Sequence, residues 1–198
     1  PLEAAYRRIG QLVADLRAAG HVIDRVDLGG GLGVPYRQEE NPPSPADYGQ
    51  MVARVTKGWD VTLMFEPGRV IVGNAGVLLT RVIWVKPGVI RPYIIVDAAM
   101  NDLARPAMYD AWHDFAAVQP SGERMTANIA GPVCESGDFF AKDRALPTLE
   151  PGDLIAIMSC GAYGYVMSSN YNSRPRVPEV VVRGRQFFVA KRRETYDD

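Results

Sequence analysis

The chain has 198 residues, 47% of them hydrophobic, with 22 lysines and arginines against 23 aspartates and glutamates for a net charge of −1. That is enough apolar content for one sizeable core, as one full domain or parts of two, while the balanced charge argues against nucleic acid or a membrane surface as partner. Arg81 and Lys86 interrupt the longest apolar run, around Val77 to Val85, well short of the roughly 20 residues a bilayer span requires.

The first residues, PLEAAYRRIGQL, lack the apolar centre of a signal peptide, so a cytoplasmic chain is expected. Cys134 and Cys160 form no C-x-x-C pair, and His21 and His113 add too few ligands for zinc. Free thiols and no metal are therefore expected.

Leu2, Ala5, Ile9, Leu12, Leu16 and Ala19 recur at three and four, which predicts a helix that Gly20 ends. HVIDRVDLGGGLG then reads as a strand delivering a glycine turn. In NPPSPADYGQ, Ser44 is the expected N-cap of a second helix, with Pro45 at its first position and Asp47 in its first turn. Tyr48, Met51, Val52, Val55 and Trp59 supply that helix's buried stripe, and Gly58 its end.

VTLMFEPGR has the nearly continuous apolar character of a strand buried on both faces of a parallel sheet. After Arg69 the rhythm changes. RVIVGNAGVLLTRVIWVKPG, RPYIIVDA, GDLIAIMSCGAY and EVVVRGRQFFVAKRR predict antiparallel strands of a barrel or sandwich, with Gly184 at a hairpin tip. Two helices cannot cover both faces of a two-stranded parallel sheet and would leave VTLMF exposed. The expectation is the C-terminal portion of a larger α/β protein, with a change of architecture near residues 70 to 75.

Five stretches could carry chemistry. DLGGGLG offers free backbone amides to an anion, although Val34 breaks the dinucleotide fingerprint; a plain strand-to-loop turn is an equal reading. In EPGR, Glu66 would need a cationic partner if buried and Arg69 has a fork suited to phosphate or carboxylate, but the two could simply pair with each other. Arg105 and Tyr109, four apart, could clamp a carboxylate on one helical turn, or be a solvated arginine beside a core tyrosine.

Tyr163 and Tyr171, in GAYGYVMSSNYNSRP, could cover a ligand or seal a core edge. In GPVCESGDFF a thiol adjoins a carboxylate, Cys134 beside Glu135. His113 reads as a surface residue, and Lys57, Lys86, Lys142 and Lys191 all read as solvated.

Taken in order, DLGGGLG, FEPGR, DAAMNDLARPAMY, GPVCESGD and GAYGYVMSSNYN resemble the pyridoxal-phosphate decarboxylases of the alanine-racemase-like fold. The resemblance implies the end of a (β/α)8 TIM barrel over residues 1–73, followed by a β-barrel or β-sandwich domain over 74–198. It implies that Gly29, Gly30 and Gly31 bind the phosphate of pyridoxal 5'-phosphate with Arg69 nearby, that Glu66 meets its pyridine nitrogen, and that Pro67 and Gly68 also belong to the cofactor site. Tyr163 would touch both phosphate and substrate, with Tyr171 lining the same pocket.

On the same basis Arg69, Arg105 and Tyr109 hold the distal carboxylate of a diamino diacid, and Glu135 pairs with its distal ammonium. Cys134, whose thiolate the neighbouring carboxylate disfavours, would be the acid that reprotonates the decarboxylated carbon. In the family Cys134 and Glu135 come from the partner subunit, so a homodimer with shared sites is implied.

The implied reaction is decarboxylation of meso-2,6-diaminopimelate to L-lysine, the last step of bacterial lysine synthesis. The family's cofactor-bearing lysine and barrel histidines have no counterpart in this sequence, so the chain alone is expected not to turn over. Rivals are an ornithine, lysine or arginine decarboxylase of the same fold and a non-catalytic homologue that regulates by dimerising. Without the resemblance, a generic phosphate-ligand-binding domain would remain.

Overall fold

The computed structural model describes residues 1–198. Its chain forms two compact units, residues 1–35 with 39–71, and residues 36–38 with 72–198.

In the first unit, helix α1 (Leu2–Ala18) leads to strand β1 (Arg25–Asp27), and helix α2 (Pro45–Val55) leads to strand β2 (Thr62–Met64). The two strands pair in parallel, Val26 opposite Leu63. A full (β/α)8 barrel is not in this chain.

Helix α2 begins as its sequence dictates. Ser44 Oγ accepts from the Asp47 amide at 3.1 Å while Asp47 accepts from the Ser44 amide at 3.2 Å, a reciprocal capping box with Pro45 at the first helical position. It ends at Val55, before Gly58, and packs Val52 and Val55 with Tyr6, Val13, Val26 and Leu28.

Helix α1 keeps part of the expected face, with Leu2 and Ile9 packed on the core, but is turned so that other residues are its most buried ones. It buries Tyr6 and Val13, whereas Leu12 is 55% exposed. The Tyr6 hydroxyl decides the matter, since it lies 2.8 Å from the Tyr48 hydroxyl and 3.3 Å from the Leu28 carbonyl, and the polar tip of a buried tyrosine needs such partners. Strand β2 leaves Met64 and the following Phe65 exposed, as expected of an apolar strand in a parallel sheet of only two strands.

The stretch from Arg69 to Ala75 is helical, not extended: a short α3 (Arg69–Val72) runs into a 3-10 turn. The second unit then builds β3 (Leu78–Lys86), β4 (Tyr93–Val96), a short α4 (Arg105–Tyr109), β5 (Phe115–Ala117), β6 (Arg124–Ala130), β7 (Phe139–Pro147) and β8 (Leu154–Ile157).

Six of these strands make one sheet in the order β5-β8-β3-β4-β6-β7. The expected all-antiparallel arrangement fails at one place, where β4 and β6 run parallel with Ile94 opposite Ile129. The edge strands β5 and β7 touch, so the mixed sheet curls nearly into a barrel around Val82, Ile94, Val96, Ile129, Leu146, Ile155 and Ile157. Full burial of each such side chain contributes about 1.5–3 kcal/mol.

The chain closes on a separate antiparallel ribbon, β9 (Glu179–Arg183) and β10 (Gln186–Lys191), with Gly184 at its tip in the left-handed region.

Candidate active site

Within the first unit, the glycine turn and the EPGR turn are one construction. Leu28 N donates to Met64 O at 3.0 Å and Glu66 N donates to Gly29 O at 2.8 Å, which carries the β1–β2 pairing past the strand ends. Gly29 (φ +67°) and Gly31 (φ +88°) occupy backbone that side chains resist, and a Cβ on Gly30 would overlap the Glu66 carbonyl. Gly29 N donates to Asp27 Oδ1 at 2.7 Å, while nothing lies within 4 Å of where its Cβ would project.

Glu66, Pro67 and Gly68 are exposed and Arg69 is half-buried. A cavity of about 520 Å³ beside the turn is lined by Gly29, Gly30, Tyr48, Phe65, Pro67 and Val70. The donor set fits a phosphorylated pyridine: an open glycine turn at the carboxyl ends of parallel strands, followed by an acid and an arginine.

Within the second unit, the motif that holds Cys134 and Glu135 is pinned by Asp138. This carboxylate is buried, with Oδ1 accepting from the Met100 amide at 2.7 Å and Oδ2 from the Val133 amide at 2.9 Å. A side chain at Gly131 would collide with it. The loop between is left exposed, Cys134 and Glu135 included, and the Glu135 carboxylate accepts from the Tyr171 hydroxyl at 3.1 Å. That bond raises the Tyr171 pKa, since the anion's charge opposes a phenolate.

A second buried acid, Asp102, accepts from the Ala99 amide at 2.9 Å and from Asn101 Nδ2 at 3.1 Å. Asn101 accepts in turn from Arg174 Nε at 3.0 Å, and its carbonyl accepts from the Ser169 amide at 2.9 Å. Three of the quoted motifs, DAAMND, CESGD and SSNYNSR, are thus cross-linked. Burial outweighs these bonds and holds both Asp102 and Asp138 above the ordinary carboxylate range.

Arg105 and Tyr109 differ in burial. Arg105, at the start of α4, is buried, its guanidinium 3.2 Å from His113 Nε2 and 4.9 Å from the centre of the Tyr36 ring, while Tyr109 is exposed. His113, expected on the surface, is 0% exposed. The reason is tertiary: its Nδ1 sits 2.8 Å from the Met158 carbonyl, and Tyr36 meets its ring edge-on at 5.6 Å.

Tyr163 is exposed and left-handed at φ +60°, a conformation costly for a non-glycine residue and frequent at functional sites. Its flanking glycines are forced. A Cβ on Gly161 would overlap the Val72 carbonyl and one on Gly164 the Cys160 carbonyl. Gly161→Ala is expected to destabilise the second unit by about 1–3 kcal/mol or more, because the neighbour is backbone and cannot turn aside; chemical denaturation followed by tryptophan fluorescence checks this.

Asp138, Asn101 and Asp102 were not singled out by the sequence, and His113 was read as a surface residue. The signal available for Asp138 was its place between Gly137 and a Phe-Phe strand start, where an acid has no solvent-facing reason to be. Both cysteines are free, Cys160 being buried and its thiol pushed up to about 12 by desolvation.

The chain belongs to the pyridoxal-dependent decarboxylases: residues 12–161 match the family's C-terminal sheet domain, and the family works with pyridoxal phosphate. It is 54% identical to the diaminopimelate decarboxylase of Pseudomonas fluorescens over 98% of its own length and 47% of that protein's. Among solved structures, diaminopimelate decarboxylase of Helicobacter pylori complexed with L-lysine superposes with a TM-score of 0.92 at 41% identity, covering 100% of this chain and 49% of the other. A lysine decarboxylase from Selenomonas ruminantium gives 0.75 at 25% identity over 89% of this chain and 46% of its own. The chain therefore spans about half the length of the curated relatives it matches.

Proposed function

We propose that the protein carrying this sequence decarboxylates meso-2,6-diaminopimelate to L-lysine and CO2. The observation that carries the reading is the contrast in likeness, 54% identity to a diaminopimelate decarboxylase against 25% to a lysine decarboxylase. Residues 1–73 would form the end of a cofactor-binding barrel and 74–198 the β domain, in a cytoplasmic homodimer whose sites are shared between subunits.

Bound pyridoxal phosphate supplies an electron sink for the pair left behind when the carboxylate departs. Gly30 and Gly31 would hold its phosphate through backbone amides, with Gly29, whose amide Asp27 takes, leaving room for its approach, Arg69 close by and Pro67 and Gly68 shaping the turn. Glu66 would keep a proton on the pyridine nitrogen, and Tyr163 would contact phosphate and substrate. Arg69, Arg105 and Tyr109 would take the distal carboxylate, and Glu135, oriented by Tyr171, the distal ammonium. Cys134 would deliver a proton to the carbon that has lost CO2.

None of the four lysines of this chain lies in an apolar pocket, since Lys57, Lys86, Lys142 and Lys191 are all exposed. A cofactor-bearing lysine needs a desolvating pocket, so the 198 residues alone are expected to show no turnover. In a protein of full family length, CO2 release from meso-diaminopimelate and none from ornithine, lysine or arginine is the expected result. Release from ornithine would favour a rival of the same fold, and release from no substrate the non-catalytic one.

A further inference from the structure

We infer that His113 is a positioning residue: a neutral imidazole that aims the Arg105 guanidinium at a ligand carboxylate without neutralising it. This rests on the reading of Arg105 as a carboxylate-binding arginine and adds what sets its aim.

The geometry fixes the proton. A guanidinium can only donate, so His113 Nε2, 3.2 Å from Arg105 Nη1, must be the acceptor. The ring's proton then resides on Nδ1, which donates to the Met158 carbonyl at 2.8 Å. The carbonyl therefore sets the tautomer that Arg105 requires.

The Met158 carbonyl alone favours a second proton, and the burial of the ring and the two arginines beside it oppose one. Arg105 of α4 faces Nε2, Arg144 of β7 bonds the His113 carbonyl at 3.1 Å, Cys160 Sγ lies 3.8 Å from Nδ1, and Tyr36 gives its ring edge. Desolvation, the largest cause, outweighs the Met158 bond and with the two arginines lowers the His113 pKa, in keeping with the neutral tautomer that the Arg105 contact requires.

The choice of partner has a chemical consequence. A buried arginine is most often held by a carboxylate, which would spend its charge and compete with an anionic ligand. Here an uncharged ring and the face of Tyr36, 4.9 Å from the guanidinium carbon, do the holding. The positive charge stays available to a ligand.

The test compares two ligands on the cofactor-loaded protein of full family length. L-lysine, with its side-chain amine at the cofactor, presents a distal carboxylate, and cadaverine presents none. His113→Asn keeps a donor near Met158 but cannot reach Arg105; it is expected to raise the Kd for L-lysine about 10-fold or more, with cadaverine unchanged. His113→Gln, whose amide oxygen can stand where Nε2 stood, is expected to restore L-lysine binding to within a few-fold.

Equal weakening of both ligands in His113→Asn, or no change in either, overturns the inference, provided Arg105→Met selectively weakens L-lysine. If Arg105→Met leaves the ratio of the two ligands unchanged, the reading of Arg105 itself fails. Nitrogen NMR of the unsubstituted protein supplies a check independent of folding. A ring protonated at Nε2 at neutral pH sinks the proposal.

Discussion

Alanine at position 138 is expected to lower the stability of the second unit by about 2–6 kcal/mol. The wild-type carboxylate satisfies two amides, of Met100 and Val133, and each buried donor left without a partner costs about 1–3 kcal/mol. Asparagine at the same site keeps one acceptor and turns an NH2 toward the other amide, so about half of that loss is expected. The measurement is urea unfolding with the slope held in view, since an unchanged slope assigns the shift to stability.

The sign of the pH dependence follows from the same residue. Burial raises the Asp138 pKa above its unfolded value, and Asp102 shares the direction for the same first cause. A raised carboxyl pKa means that the folded state holds its proton more tightly. These two acids therefore stabilise most below the unfolded carboxylate range, and their contribution is lost as pH rises through the folded values. Asp138→Asn should flatten that part of the stability profile, and an unchanged profile would assign the slope to other groups.

What was legible in the sequence is what local chemistry decides. Helix α2 could be read because its cap, first proline and first-turn acid lie within four residues of one another, and its stripe of Val52 and Val55 is unambiguous. The hairpin at Gly184 was legible for the same reason. The face of α1 was legible only in part, through Leu2 and Ile9, because Leu12 offers as good an apolar pattern as Val13 and only the distant Tyr48 and Leu28 choose between them.

Strands β6 and β7 were hidden by their polarity. The run FFAKDRALP carries Lys142, Asp143 and Arg144 at its centre, yet Arg144 is buried with its guanidinium 3.2 Å from the Trp112 ring centre and donating to the His113 carbonyl. Cation–π stacking of this kind makes an arginine a core residue, and no spacing rule announces it. The parallel pairing of β4 with β6 was equally silent, because it depends on which distant strand lies beside Tyr93 to Ile95. Of the candidate site, the five motifs were legible as residue types in order. The acids that hold those motifs in place were not, since Asp138 and Asp102 look like any other loop aspartates until the amides they cap are brought to them.

Replacing Cys134 by alanine is expected to lower kcat for diaminopimelate about 10²–10⁴-fold in the protein of full family length, the usual contribution of a positioned proton donor. The proposed role asks that the thiol be presented at the surface of its own subunit, and Cys134 is exposed on a loop anchored on one side by Gly131 and on the other by Asp138. KM should move little, because Glu135, Tyr171 and Arg105 would still hold the substrate's far end. Serine keeps the shape but is a far weaker acid than a thiol, so Cys134→Ser should resemble alanine more closely than wild type. A second readout separates proton delivery from structural damage. In D2O the unsubstituted enzyme should place one deuteron stereospecifically on the carbon that lost CO2, whereas the alanine variant, protonated by solvent, should give a mixture. A variant that is slow yet fully stereospecific would move the acid assignment away from Cys134, with Tyr163, left-handed and exposed in its glycine-flanked turn, as the next residue to substitute.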